Sequence, residues 1–122
     1  MSLATWVNSL MRSEADVEAD EIAQECNRPG CVTICTLKPG SYATITGTAH
    51  SISVPPKSES PQVRVDLYDG SGMVELVWLG RRAIAGIEPG AYLTVRGRVA
   101  RAPHGDRLCM YNPAYDLLPA RG

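Results

Sequence analysis

The stretch VRVDLYDGSGMVELVWLGRR, Val63–Arg82, decides the fold class of this chain. Apolar residues alternate with polar ones up to Tyr68, which is the two-residue period of a strand with one buried face. The next four residues, DGSG, have the composition of a tight turn, and Met73–Leu79 is a nearly continuous apolar run. The stretch therefore predicts a β-hairpin in which Val63, Val65 and Leu67 point into a core.

Three further segments predict strands, and one predicts a helix. Tyr42–Val54 alternates polar and small apolar residues, and Tyr92–Arg101 and Arg107–Asn112 have the same character. Arg81–Ile87, which is closed by a Glu-Pro-Gly turn, predicts a short helix. The order is therefore three strands, a short helix and two strands.

Two of these strands belong to segments that resemble each other. KPGSYATITGTA (Lys38–Ala49) and EPGAYLTVRGRV (Glu88–Val99) align without a gap. A single pair of this kind excludes a solenoid. A glycine within a strand favours a bulge or a sharp bend, so we expect Gly47 and Gly97 to bend strands that close a small barrel.

Residues 1–27 differ from the rest of the chain. Apolar residues at helical spacing predict helix over residues 3–25, and the pair Ser13 and Asp16 is typical of a new helix start after a break near Arg12. Residues 1–26 carry six acidic residues and one basic residue, for a net charge of −5, whereas residues 27–122 carry +4. We therefore expect an acidic helical leader over residues 1–27 and a basic domain over residues 28–122.

The composition, with 44% apolar and 20% charged residues among 122, is that of one globular domain. No export signal or membrane span is apparent, so we expect a cytoplasmic protein with reduced cysteines and no membrane partner. Cys26, Cys31 and Cys35 lack the Cys-x2-Cys spacing of zinc sites, so we expect no metal and no other cofactor. Without a phosphate-binding loop or a catalytic triad pattern, the sequence predicts a protein that is not an enzyme.

Five strands in this order fit the OB-fold, a five-stranded Greek-key barrel. The segments VDLYDGSGMVELVWLGRR, IEPGAYLTVRGRV and CMYNPAYDLL resemble the OB-fold nucleic-acid-binding family. They are most similar to small actinobacterial OB-fold proteins and to the wedge domain of the branch-migration helicase RecG, over about Cys35–Leu118. The resemblance implies single-stranded or branched nucleic acid as the ligand, and it does not imply catalysis.

Candidate contacts to nucleic acid are mainly arginines, because a guanidinium group is always charged and donates two parallel hydrogen bonds to phosphate. Residues 81–107 hold six arginines and only two acidic residues, and we expect these arginines to lie on one flank of the barrel. The candidates for stacking on a base are Tyr68, Trp78, Tyr92 and Tyr111, and we favour Tyr68 because it points outward beside Arg64. The favoured set is Arg64, Tyr68, Arg81, Arg82, Arg96, Arg98, Arg101, His104 and Arg107.

One feature opposes this interpretation and leaves an alternative open. A symmetric hairpin places Asp66 opposite Glu75 on the same outward face, where two carboxylates repel phosphate. Thus the first hypothesis is a module that binds single-stranded or junction DNA, or RNA. The alternative is a protein interaction or oligomerisation module, with self-association through the N-terminal helix. In a hybrid of the two, the acidic leader covers the arginines and lowers the affinity for nucleic acid.

Overall fold

The computed structural model describes residues 16–103 and 105–119. Residues 16–26 are helical (α1), and a single 3-10 turn follows at Ile34–Thr36. The remaining elements are six strands: β1 (Tyr42–Ser53), β2 (Gln62–Tyr68), β3 (Met73–Leu79), β4 (Tyr92–Arg101), β5 (Leu108–Tyr111) and β6 (Ala114–Leu117). The helix predicted over residues 3–15 and the break near Arg12 lie outside the described residues.

The first five strands close into a barrel. They follow each other around it in the order β1-β2-β3-β5-β4, and β4 pairs back with β1. All neighbours are antiparallel except β3 and β5, which run parallel. The fold class predicted from the sequence, an OB-fold barrel with an N-terminal helix, is confirmed. Across the described ranges, no helix has the length and apolar content that a membrane crossing requires.

The barrel interior is filled by the alternate residues that the hairpin sequence predicted. Val63, Val65 and Leu67 are fully buried, and Asp66 lies opposite Glu75 as the symmetric register required. Trp78 is also buried, and its indole Nε1 donates a 3.1 Å hydrogen bond to the carbonyl oxygen of Pro113. The core is therefore made of aliphatic side chains with one tryptophan at its end.

The two similar segments pair with each other about a local two-fold axis. Ile45 lies opposite Val95, its own counterpart in the repeat, so the axis passes between these two residues. The flanking bonds obey the same symmetry: the Gly40 amide donates to the Val99 carbonyl at 2.7 Å, and the Gly90 amide donates to the Ala49 carbonyl at 2.8 Å. The repeat thus exists because each copy supplies one strand of an antiparallel ribbon and the turn that ties it to the other copy.

Of the two alternatives predicted for Gly47, a bulge or a sharp bend, the bulge does not form. Gly47 pairs regularly with Leu93, and the irregularity of β1 lies between Ala49 and Ser51. A Cβ atom at Gly47 would lie 2.6 Å from the Leu67 Cγ atom and 3.0 Å from the Tyr68 carbonyl oxygen. Glycine is therefore required there because β2 approaches closely where the barrel closes.

The short helix predicted between β3 and β4 does not form. Residues 81–87 contain only a bend and a turn, and Gly86 has a φ of +79° that a right-handed helix does not allow. The segment instead buries Ile84 and Ile87 in the core, and the Tyr115 hydroxyl donates to the Ala85 carbonyl at 3.1 Å. The segment is therefore held against the barrel by its two buried isoleucines, without forming a helix.

The leader packs against the turn between β2 and β3. Asp69 is buried there and accepts hydrogen bonds from the Ile34 amide at 2.8 Å and the Ser71 amide at 2.9 Å. Gly70 lies so close to α1 that a Cβ atom would be 2.5 Å from the Ala19 carbonyl oxygen. The described part of the leader therefore packs closely against the barrel. The division of the chain at residue 27 stays a prediction.

Candidate nucleic-acid interface

The outward side chains of β2 and β3 form a surface, called here the β2–β3 face, with a loop at each end. Loop 54–61 joins β1 to β2 at the end where β3 finishes, and loop 102–107 joins β4 to β5 near the start of β3. OB-folds bind oligonucleotides on this face and between these two loops. The sequence places three chemically different zones along it.

The zone next to loop 54–61 combines a cation with apolar and aromatic groups. Arg64, Val77 and Tyr111 lie side by side on β2, β3 and β5. Val77 is buried, whereas Arg64 is exposed and Tyr111 is 43% exposed. Partial burial raises the pKa of Tyr111 and the Arg64 guanidinium opposes this shift, so the two side chains are within electrostatic reach. This zone can stack a base and hold a phosphate.

The central zone contains the two carboxylates. Asp66 and Glu75 are neighbours across the hairpin, but Asp66 has partners of its own. The Arg107 Nη2 atom lies 3.1 Å from its Oδ1 atom, and the Ser51 hydroxyl donates to its Oδ2 atom at 2.9 Å. Arg107 therefore offsets one of the two negative charges, and its Nη2 atom is already engaged.

The third zone, next to the β2–β3 turn, borders the leader. The rings of Tyr68 and His50 are 6.4 Å apart between centroids. Both line a groove whose other wall includes Glu18 and Glu21 of α1. Burial raises the pKa of Tyr92 on the floor of this groove, and the two glutamates add to the shift. Tyr68, the predicted stacking residue, thus faces outward beside an acidic helix.

The six arginines of residues 81–107 do not lie on one flank. Arg81 and Arg82 follow β3, and the Arg82 Nη2 atom donates to the carbonyl oxygens of Lys57 and Glu59 in loop 54–61, at 3.1 and 3.2 Å. Arg96 and Arg98 point outward from β4, opposite Thr44 and Tyr42. Arg101 is exposed at the end of β4, although strand alternation puts it on the same side as the inward-pointing Val99. Arg107 precedes β5. His104 lies outside the described residues.

A match to a known protein family identifies the family of this chain. The tRNA anticodon family model, described as an OB-fold nucleic acid binding domain, matches residues 43–117. The chain belongs to this family. The match begins inside β1 and ends with β6, so the matched segment is the barrel and not the leader. No curated protein matches the chain in sequence.

Solved structures of other OB-fold proteins are similar to the chain. The asparaginyl-tRNA synthetase of Entamoeba histolytica has 22% identity and a TM-score of 0.55, over 77% of this chain and 24% of the synthetase. A replication protein A heterotrimer bound to ssDNA has 16% identity and a TM-score of 0.52, over 80% of this chain and 75% of the matched chain. The chain spans about a quarter of the length of the synthetase, and at these identities the likeness shows the fold alone.

The cysteines of this OB-fold protein are free thiols. Burial is the main cause that raises the pKa of Cys26 from 9.0 to about 11. Hydrogen bonds with the Thr33 and Ser71 hydroxyls lower the pKa of the exposed Cys35. Within residues 16–103 and 105–119, no group of three metal-binding side chains comes together.

Strand alternation in the sequence predicts which β2 side chains point outward, but not which β5 side chain lies beside them. Strand alternation placed Arg64, Asp66 and Tyr68 outward, and they are outward. Tyr111 is one of the other stacking candidates that the sequence offers, and it lies outward, out of phase with the buried Met110. That Tyr111 adjoins Arg64 depends on the parallel pairing of β3 with β5, for which no local signal exists.

Proposed function

We propose that this OB-fold domain is a non-catalytic module that binds single-stranded or branched nucleic acid, DNA in preference to RNA, on the β2–β3 face. The observation that carries the proposal is the zone of Arg64 and Tyr111, where an exposed guanidinium and a half-exposed ring stand on either side of Val77. Such a pair supplies both terms of single-strand affinity, which are phosphate attraction and base stacking. The replication protein A structure, whose ligand is ssDNA, motivates the preference for DNA.

The exposed apolar side chains beside this zone support the same function. Leu79 is 52% exposed on β3, and Val54 is exposed where loop 54–61 begins. Bases offer a large apolar surface, so apolar side chains next to a stacking ring favour unpaired bases over a phosphate backbone. A duplex, whose bases are paired inside, would leave these groups exposed.

The other predicted residues enter the proposal with different roles. Tyr68 adds a second ring at the far end of the face, and Arg107 neutralises Asp66 between the two ends. Arg82 holds loop 54–61 in place through Lys57 and Glu59. The remaining members supply phosphate contacts around the barrel, namely Arg81, Arg96, Arg98, Arg101 and His104. A cytoplasmic location also stays a prediction.

Fluorescence anisotropy with a labelled oligothymidine tests the proposal. Arg64→Ala should lower the slope of log affinity against log salt by about one, because one phosphate contact and its released counterion are lost. Tyr111→Ala should cost about 1–3 kcal/mol of binding free energy, whereas Tyr111→Phe keeps the ring and most of the affinity. Arg28→Ala, which removes an exposed arginine just after the leader, is the matched control. Wild-type protein that binds neither DNA nor RNA at low salt would refute the function.

A protein interaction module is the second candidate, and the Asp66–Glu75 pair favours it. Two carboxylates at the centre of the face, with exposed Leu79 and Val54 at one end, also suit a mixed polar and apolar protein contact. This candidate predicts a stable complex with a protein partner or with a second copy, and negligible nucleic-acid affinity at physiological salt. A sizing column combined with the anisotropy titration separates the two functions.

A further inference from the structure

A row of outward side chains continues from the β2–β3 face around the barrel. Arg64 on β2 adjoins Val77 on β3, and Val77 adjoins Tyr111 on β5. The pairing of β4 with β5, Val99 opposite Met110, places Arg98 beside Tyr111 one step further along. Arg98 in turn lies opposite Tyr42 on β1. Each strand of the closed barrel thus contributes one side chain to a row that extends over about 20 Å, at about 4.8 Å per strand.

Two of the five side chains in this row are cationic and two are aromatic. Guanidinium groups stand at Arg64 and Arg98, and aromatic rings stand at Tyr111 and Tyr42. Tyr42 is the most exposed of the large hydrophobic residues in the described part of the chain, at 70%. Tyr42 and Arg98 are direct neighbours across the β1–β4 pairing, whereas Val77 stands between Tyr111 and Arg64 on the β2–β3 face.

The local two-fold axis shows that the exposure of Tyr42 is not imposed by the ribbon. The symmetry relates Tyr42 to Tyr92 and Arg98 to Thr48. Tyr92 and Thr48 line the groove under α1, and Thr48 is only 8% exposed. The same two positions are therefore covered by protein in one half of the ribbon and open in the other. In the open half, the buried threonine is replaced by an arginine.

We infer that Tyr42 and Arg98 form a second nucleotide subsite, which stacks one base and binds one phosphate of a single strand that continues from the β2–β3 face past Tyr111. The inference rests on the proposed function. The row follows the curvature of the barrel, so it suits a flexible single strand. A duplex, whose persistence length is about 50 nm, does not bend around so small a body without a large cost.

Anisotropy with oligothymidines of about 3 and about 8 nucleotides tests the inference, since the shorter strand cannot fill both subsites. Tyr42→Ala should weaken binding of the longer strand by about tenfold and leave the shorter strand within about twofold. Tyr42→Trp should restore the affinity for the longer strand, whereas Tyr42→Leu, which keeps apolar bulk without a ring, should not. Affinity for a duplex should not depend on Tyr42.

The outcomes separate this inference from the proposed function. If Tyr42→Ala reduces binding of both strands equally, or of neither, while Tyr111→Ala still weakens both, the second subsite is refuted and the function stands. If wild-type protein binds no nucleic acid, both fail. Binding of a polyglutamate peptide with the same dependence on Tyr42 would assign the surface to an acidic protein segment, and would overturn the inference.

Discussion

The two halves of the β1–β4 ribbon have the same strand pairing but differ in exposure, since one half is covered by protein and the other is open. The covered half presents Thr46, Thr48, Tyr92 and Thr94. Thr48 and Tyr92 line the groove beside α1, and Thr46 lies against Cys31. The open half presents the symmetry-related Arg96, Arg98, Tyr42 and Thr44, and its two arginines are exposed. The two halves therefore have the same strand pairing and differ in their outward side chains and in the segments that cover them.

The largest effect should come from exchanging the residues at one pair of related positions. Thr46 is 1% exposed, shares a 2.7 Å hydrogen bond with the Thr94 hydroxyl and lies 3.3 Å from the Cys31 Sγ atom. Thr46→Arg would place a cation in this buried position and should lower the free energy of unfolding by about 3 kcal/mol. The reverse exchange, Arg96→Thr, should change it by less than about 0.5 kcal/mol. Urea unfolding of both variants measures the difference, and equal effects would contradict the asymmetry.

A second pair of related positions differs in the interior. A Cβ atom at Gly47 meets the Leu67 side chain and the Tyr68 backbone, whereas one at Gly97 would keep ordinary distances of 3.4–3.5 Å from Pro113 and Met110. Gly47→Ala should therefore cost about 2 kcal/mol through overpacking. Gly97→Ala should stay within about 1 kcal/mol of wild type. Thermal unfolding is sufficient to rank them, and a larger loss for Gly97→Ala would show that the two halves close differently.

Alkaline pH should lower the stability of the protein through Cys26, which lies at the end of the helix beside the covered half. Cys26 ends α1, and burial raises the pKa of its thiol from 9.0 to about 11. The folded state holds this proton more tightly than the unfolded chain does, so the stabilisation is complete below about pH 9 and is lost as the pH rises to about 11. We expect a loss of about 2 kcal/mol over that window, since one pKa unit corresponds to about 1.4 kcal/mol.

Urea midpoints at about pH 8 and about pH 11 check this window. Cys26→Ala should flatten the decline between the two midpoints, because the titrating thiol is gone. Cys35→Ala removes an exposed thiol whose pKa is lowered, so this variant should keep the decline. A decline of the same size in Cys26→Ala would mean that other groups control the alkaline transition.

The sequence was informative where a property repeats along one strand. Alternation in Val63–Tyr68 and the apolar run after it were enough to define the hairpin, its inward side chains and the position of Asp66 opposite Glu75. The arginines were not predictable in the same way, because the barrel inserts β5 between β3 and β4 and so separates residues that are close in sequence. The hydrogen bonds that Arg82 donates to carbonyl oxygens of loop 54–61 are likewise long-range contacts that no local sequence pattern predicts.

The smallest effect should come from the acidic side chains of α1. Glu18 and Glu21 line the groove that Tyr68 and His50 share with α1, so they repel phosphate from that end of the β2–β3 face. Glu18→Gln combined with Glu21→Gln should raise the affinity for single-stranded DNA by about two- to threefold at low salt, and the gain should vanish at high salt.

The matched control for this charge effect changes the net charge by the same amount elsewhere. Glu88→Gln with Asp116→Asn removes two exposed acidic groups, one in the turn before β4 and one on β6. If the leader acts locally, the control should leave the affinity nearly unchanged. An equal gain in both double variants would mean that only the total charge matters, and that α1 has no local electrostatic effect at the neighbouring end of the β2–β3 face.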